Sequence, residues 1–285
     1  MCCLFGFVDY AGSLSVKQRN RLIRELSIAA EARGTDATGI AYNTSRGLQV
    51  YKRPLAAHRL HLRIPAEARA VMGHTRMTTQ GSAKKNYNNH PFFGHVKEES
   101  FALAHNGVLW NDLELRHAKH LPRTKVQTDS YIAVQLLEQK KSLDFDSLRY
   151  MAEQVEGSFS FTVLDEQSAL WIVKGDSPLS IAYFPERGVY VYASTVEILN
   201  KALTRCGKQL GHRRMVEVEM GDLLKIDRRG HITRATFDTS KFCRPSWDYW
   251  GASLYAEPPK TEDEHIRLLK SVAKAFGFTG EMIDR

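Results

Sequence analysis

The second residue of the chain is a cysteine, in the opening Met1-Cys2-Cys3-Leu4-Phe5-Gly6-Phe7-Val8. Removal of Met1, which a small second residue permits, leaves Cys2 carrying a thiol and a free α-amine. Their ordinary pKa values, about 8 for the amine and about 8.5 for the thiol, let the amine take the thiol proton near neutral pH. One residue then supplies both the nucleophile and the base of an acyl-transfer site. By position alone two other readings stand beside this one. Free cysteine usually behaves as a small buried hydrophobe, and a Met-Cys-Cys start also suits S-acylation of an N-terminal arm. The run Leu4–Val8 reads as strand, not arm.

Four polar segments further on hold the other residue types that such chemistry uses. They are Gly73-His74-Thr75-Arg76-Met77-Thr78-Thr79-Gln80-Gly81, Asn88-Asn89-His90-Pro91-Phe92, Ala104-His105-Asn106-Gly107 and Gln127-Thr128-Asp129-Ser130. Singly, each has a plain explanation. Asn-Gly is a common turn, and Asp129 suits the start of a helix. His74, His90 and His105 could serve as bases, but with an α-amine available they read as hydrogen-bonded structural histidines.

The elements that must position these residues follow from periodicity. Cys2–Val8 is an apolar run of strand formers, and a chain terminus buried in a sheet needs a reason. Residues 16–32 have helical spacing, and 33–39 read as a turn into a strand at 40–42. Short strands are expected at 48–51, 70–74 and 101–105. Thr128 is placed to cap a helix running to about Gln139, with Ile132, Ala133, Leu136 and Leu137 on its apolar face. Residues 146–155 continue as helix. Strand-like runs follow at 157–164, 169–173, 179–184 and 189–193, then a short helix near 196–203 and strands near 215–218 and 222–226. Hairpin turns join most of the strands, which indicates α+β with layered antiparallel sheets rather than a doubly wound sheet.

Taken together and in this order, the segments resemble the glutaminase domain of class II glutamine amidotransferases, which are N-terminal-nucleophile (Ntn) hydrolases. Cys2…Leu4-Phe5-Gly6, Arg33-Gly34-Thr35-Asp36…Gly39-Ile40-Ala41 and Gly221-Asp222-Leu223 fit the same pattern. The resemblance spans about residues 2–230. It implies a four-layer αββα sandwich of two mainly antiparallel sheets. It also implies hydrolysis of the glutamine side-chain amide, or a related γ-glutamyl amide, to glutamate and ammonia. On this resemblance Cys2 is the nucleophile that forms a γ-glutamyl thioester, and Asn106 and Gly107 form the oxyanion hole. Arg76 holds the substrate α-carboxylate, Asp129 the α-ammonium, and Thr79 is a further substrate contact. The chain departs from the pattern at Cys3, where glycine is commonest, at Met77, a frequent aromatic, and at Gln80, where some members have histidine.

Composition bounds the rest. The 285 residues are 43% apolar and 25% charged, enough for a sizeable core, and no run approaches the roughly 20 apolar residues of a membrane span. Net charge is +8, with 15 basic against 7 acidic side chains in residues 1–100 and 11 against 6 in 201–250. Such a split permits an alternative function class: a non-catalytic module of the same fold, acting through its basic surface or C-terminal helix. No aromatic-basic nucleic-acid motif accompanies it, so neither nucleic acid nor a membrane is expected as a partner. The four cysteines form no CxxC, and no secretory signal precedes them, which points to a reducing, cytoplasmic setting. No metal cluster and no phosphate-cradling loop is visible, so no cofactor is expected. We divide the chain into a glutaminase-type domain at 1–238, an aromatic and Pro-containing arm at 239–260, and an amphipathic helix and tail at 261–285, opened by a capping box at Thr261. About 45 residues after 240 are too few for a synthetase. The expected partner is therefore an ammonia-accepting protein in trans, if the ammonia is used at all.

Overall fold

The computed structural model describes residues 2–97, 99–206, 210–240 and 242. Residues 1–242 form one compact unit. The expected helix at 261–285 and nearly all of the arm lie outside the described residues.

Thirteen strands among the described residues form two sheets. The first has seven strands in the order β11-β9-β10-β1-β4-β2-β3, and the second has six in the order β13-β12-β8-β7-β6-β5. In the first sheet the strands are β1 (Cys3–Asp9), β2 (Ala37–Thr44), β3 (Gly47–Arg53), β4 (Ala70–Arg76), β9 (Ser180–Phe184), β10 (Val189–Ala193) and β11 (Arg214–Val216). In the second they are β5 (Phe92–Val96), β6 (Glu99–Leu109), β7 (Gly157–Asp165), β8 (Leu170–Lys174), β12 (Asp222–Ile226) and β13 (Ile232–Thr236). Every pairing is antiparallel.

Strand alternation sorts the core into three layers. Leu4, Val8, Ala70, Met72, Ala102 and Ala104 meet between the sheets. Cys3, Phe5 and Phe7 face the other way, against helices α1 (Val16–Ala30) and α5 (Val196–Cys206). On the far side Phe101, Leu103, Phe161 and Val163 pack against α3 (Tyr131–Lys140) and α4 (Phe145–Gln154). The result is the expected four-layer αββα sandwich. A strand covered on both faces has no polar side, which is why β1 reads as an unbroken apolar run.

Several local expectations shift. β2 begins at Ala37, inside the segment read as a turn, because Gly39 is a strand residue chosen for close approach. A Cβ there would stand 2.8 Å from Lys52 Cβ and from Pro91 Cδ. The cap of α3 is Ser130 rather than Thr128; the Thr128 hydroxyl donates instead to the Asn88 carbonyl at 2.8 Å. Edge strands β5 and β13 and the short helix α2 (Asp112–Ala118) were not anticipated. β13 is half exposed and lacks an apolar run, so no periodicity announces it. α1 starts at a capping box, with Ser15 Oγ accepting from Gln18 N and Gln18 Oε1 accepting from Ser15 N.

β1 is held between β10 and β4, with Phe5 opposite Ala193 and Cys3 opposite Thr75. Past the last β10 pair, Ser194 extends the ladder. Its N–H donates to Leu4 O and its hydroxyl accepts from Leu4 N–H, both at 2.8 Å. Ser194→Ala is expected to leave that buried N–H unpaired and to cost about 1–3 kcal/mol of stability, read from urea denaturation. Unchanged stability would show that this bond does not anchor the start of the strand.

Candidate active site

The open end of the inter-sheet layer gathers the residues singled out in the sequence. Leu4, Met72 and Ala104 point into that layer. By alternation Cys2, His74, Arg76 and Asn106 continue the same faces toward its rim. Cys2 is half-buried, and its Sγ donates to Met77 O at 3.5 Å.

Arg33 ties the two sheets together here. Its Nε donates to Cys2 O at 2.7 Å, and its Nη2 donates to Asn106 Oδ1 at 3.4 Å. The second contact orients the Asn106 amide, since one end is now committed as acceptor. Asn106 is 1% exposed, and its Nδ2 has no hydrogen-bond partner. An unpaired buried donor is costly, by about 1–3 kcal/mol, and it is ready for an incoming acceptor. Gly107 follows at φ +142°, with its Cα packed on the Ser158 backbone so closely that no side chain fits.

Arg76 ends β4 and is 2% exposed. Nη1 donates to Asn89 Oδ1 at 2.7 Å, and Nη2 donates to the carbonyls of Gln80 and Gly81 and, at 3.5 Å, to Thr128 Oγ1. Burial disfavours its charge, and Cys2, Asp129 and Asp36 offset that cost. Asp36 also accepts from Thr78 N at 2.7 Å, pinning the loop that follows Arg76. Asp129 is 2% exposed; Oδ2 accepts from Leu109 N at 2.7 Å and Oδ1 from Ser130 Oγ at 3.3 Å. Cys2, Arg76 and Asp129 lie within mutual electrostatic reach. Thr79 is exposed on the loop after β4 and is not drawn into this group.

Burial pushes the Cys2 thiol pKa up, while the Arg76 charge pulls it back. Without a base, such a thiol is mostly protonated near neutral pH. The neighbouring Cys3 points to the opposite face, fully buried against the helices, and burial raises its pKa to about 11. The histidines are a core cluster. His74 Nε2 meets His105 O at 2.9 Å, and His105 Nδ1 meets Ser130 Oγ at 2.8 Å. Burial lowers all three imidazoles, His74 to about 3, so they stay neutral at physiological pH. The expectation of a hydrogen-bonded histidine fails at His90. Neither ring nitrogen has a partner, because the ring is enclosed by His74 at 4.2 Å and Phe92 at 4.4 Å between centroids. Among the described residues no group of three or more His, Cys, Asp or Glu side chains is placed to hold a metal ion. No described helix is long and apolar enough to cross a membrane.

Sequence reading gave no role to Arg33, Asp36, Asn88 or Asn89. The first two sit in the quoted Arg-Gly-Thr-Asp segment. The asparagines are fully buried, and Asn88 Oδ1 accepts from Gln127 N at 2.8 Å, fixing the segment that carries Asp129. Their signal was two adjacent amides ahead of His90-Pro91, in a stretch otherwise polar enough to pass for loop.

Residues 74–201 match the family described as a glutamine amidotransferase domain. The chain is 30% identical over 238 residues to the glutamine–fructose-6-phosphate aminotransferase (isomerizing) of Thermus thermophilus, covering 81% of this chain and 36% of that one. It is 25% identical over 204 residues to the 7-cyano-7-deazaguanine synthase of Sulfolobus acidocaldarius, covering 68% and 43%. The chain spans about a third of the length of the aminotransferases it matches. Among solved structures, the glutamine phosphoribosylpyrophosphate amidotransferase of B. subtilis superposes with a TM-score of 0.62 at 20% identity, over 83% of this chain and 49% of that one. A structure described as the allosteric regulatory enzyme of purine biosynthesis gives 0.65 at 20% identity, with the same coverage. The fold, the ordered motifs and these matches agree: the chain carries a glutamine amidotransferase domain, similar to the glutaminase domains of the class II enzymes, on the Ntn-hydrolase fold.

Proposed function

We propose that the chain hydrolyses the side-chain amide of L-glutamine, or of a related γ-glutamyl amide, to glutamate and ammonia, with processed Cys2 as nucleophile. The observation that carries this reading is the pair formed by Cys2 and Asn106 across the sandwich. Arg33 holds the Cys2 carbonyl and the Asn106 Oδ1 together, and the Asn106 Nδ2 stays buried and unpaired.

The α-amine of Cys2 takes the thiol proton as sulfur attacks the amide carbon. The developing oxyanion is met by two neutral donors, the buried and unpaired Asn106 Nδ2 and the Gly107 N–H. As the C–N bond breaks, the α-ammonium returns its proton to the departing nitrogen, which leaves as ammonia. Water then adds to the γ-glutamyl thioester, again with the amine as base, and glutamate departs with its new carboxylate. Arg76 and Asp129 supply the cation and anion that a free amino acid needs at opposite sides of a pocket. Thr79, exposed on the loop after β4, is a further substrate contact. The ammonia passes to an acceptor protein in trans or is released. Among the described residues Cys2, Cys3 and Cys206 are free thiols, which suits the reducing cytoplasm as its compartment.

Cys2→Ala is expected to abolish glutamate release from glutamine, and intact-mass analysis of active protein should show Met1 removed. Turnover by Cys2→Ala, or by chains that keep Met1, would overturn the nucleophile. Asn106→Ala should lower kcat by about 10²–10³-fold with little change in KM; a pure KM effect would remove it from the oxyanion hole. The rate needs the neutral amine, so kcat/KM should fall as pH drops from about 8 toward 6. A profile flat over that range would argue against the amine as base.

A further inference from the structure

Lys52 projects into the inter-sheet layer two register rows from Arg76, on the same face of the sheet. It pairs with Gly39, and Gly39 pairs with His74, so these three form one row across the first sheet. The missing side chain at Gly39 makes room for the Lys52 stem and for the segment 89–91. Lys52 Nζ donates to Asn89 O and, at 2.9 Å, to Pro91 O, and it lies 5.0 Å from the centre of the Phe92 ring. Asn89 is thus held at its carbonyl by Lys52 and at its Oδ1 by Arg76.

Two cations therefore converge on one asparagine. Among the described residues, neither has a carboxylate oxygen within 4.0 Å. Carbonyl oxygens alone could be held by a neutral amide at much lower desolvation cost. An ammonium in that place adds a second positive charge next to Arg76, the cation that itself acts on Cys2 and Asp129. Burial and the Arg76 charge push Lys52 down to about 8, as expected for like charges facing one another without an anion between them.

We propose that Lys52 is a specificity-determining, positioning residue: it seats the Asn89–Arg76 pair and adds a second positive charge that selects substrates bearing a free carboxylate. This rests on the glutaminase reading for its substrate, but the field itself is independent of that reading. The test compares L-glutamine with its α-amide, which lacks the carboxylate, in wild type, Lys52→Gln and Lys52→Arg. Lys52→Gln should raise KM for L-glutamine on the order of tenfold, leave kcat within about twofold, and leave kcat/KM for the α-amide unchanged. Lys52→Arg should keep the wild-type preference. Equal losses on both substrates, or no loss on either, overturn the proposal.

A second arm needs no turnover. Alkylation of Cys2 by iodoacetate and by iodoacetamide, followed by peptide mass spectrometry, gives a rate ratio from which the thiolate fraction cancels. Lys52→Gln should lower that ratio several-fold and Lys52→Arg should preserve it. An unchanged ratio in Lys52→Gln, or a ratio lost in Lys52→Arg, sinks the inference. If Lys52→Gln does not fold, the Lys52→Arg arm still decides. If wild type turns over no glutamine, the glutaminase reading fails while the alkylation ratio continues to judge Lys52.

Discussion

The placement of β1 at the middle of the first sheet governs the rest of the molecule. A strand paired on both edges and covered on both faces cannot slide, because a one-residue slip would exchange Phe5 and Phe7 for Leu4 and Val8 between two differently shaped layers. The chain start is thereby brought to a fixed point at the rim of the layer. Most termini fray; this one is held by β10, β4 and the Ser194 bridge. The proposed chemistry at Cys2 depends on that restraint, since a nucleophile free to wander loses the advantage of orientation.

Burying polar groups around that point imposes a second constraint. Arg76, Asp129 and Asn106 are each almost fully enclosed, and charges or amides in such places must be paired. Arg76 takes carbonyls and the Asn89 amide, and Asp129 takes a backbone N–H and a hydroxyl. The pairing is complete but for the Asn106 Nδ2. On the proposed mechanism that uncommitted, buried donor awaits negative charge, and preorganisation of that kind needs no rearrangement when charge appears. The three histidines serve the opposite end. Neutral and packed ring against ring, with His105 stacked on Phe161, they fill buried space without adding charge.

How much of this was legible beforehand can be judged residue by residue. β1, the central strands and helices α1, α3 and α5 follow from periodicities of two and 3.6 within short windows, which a linear reading sees. Thr128 was misread because its hydroxyl has a local use, as a cap, and a distant one, at the Asn88 carbonyl 40 residues away. The distant one won. β13 escaped notice because an exposed edge strand needs no apolar pattern.

By itself the sequence determined the layered α+β class, the cysteine at the chain start and the ordered polar segments, because these are properties of neighbours along the chain. Tertiary structure alone decided that Arg33 would span from Cys2 to Asn106, 73 residues away, and that Arg76 and Lys52 would share Asn89. It also decided that His90 would sit without a partner. Such contacts arise where strand ends from two sheets converge, and their energy lies in desolvation and geometry that no local window contains.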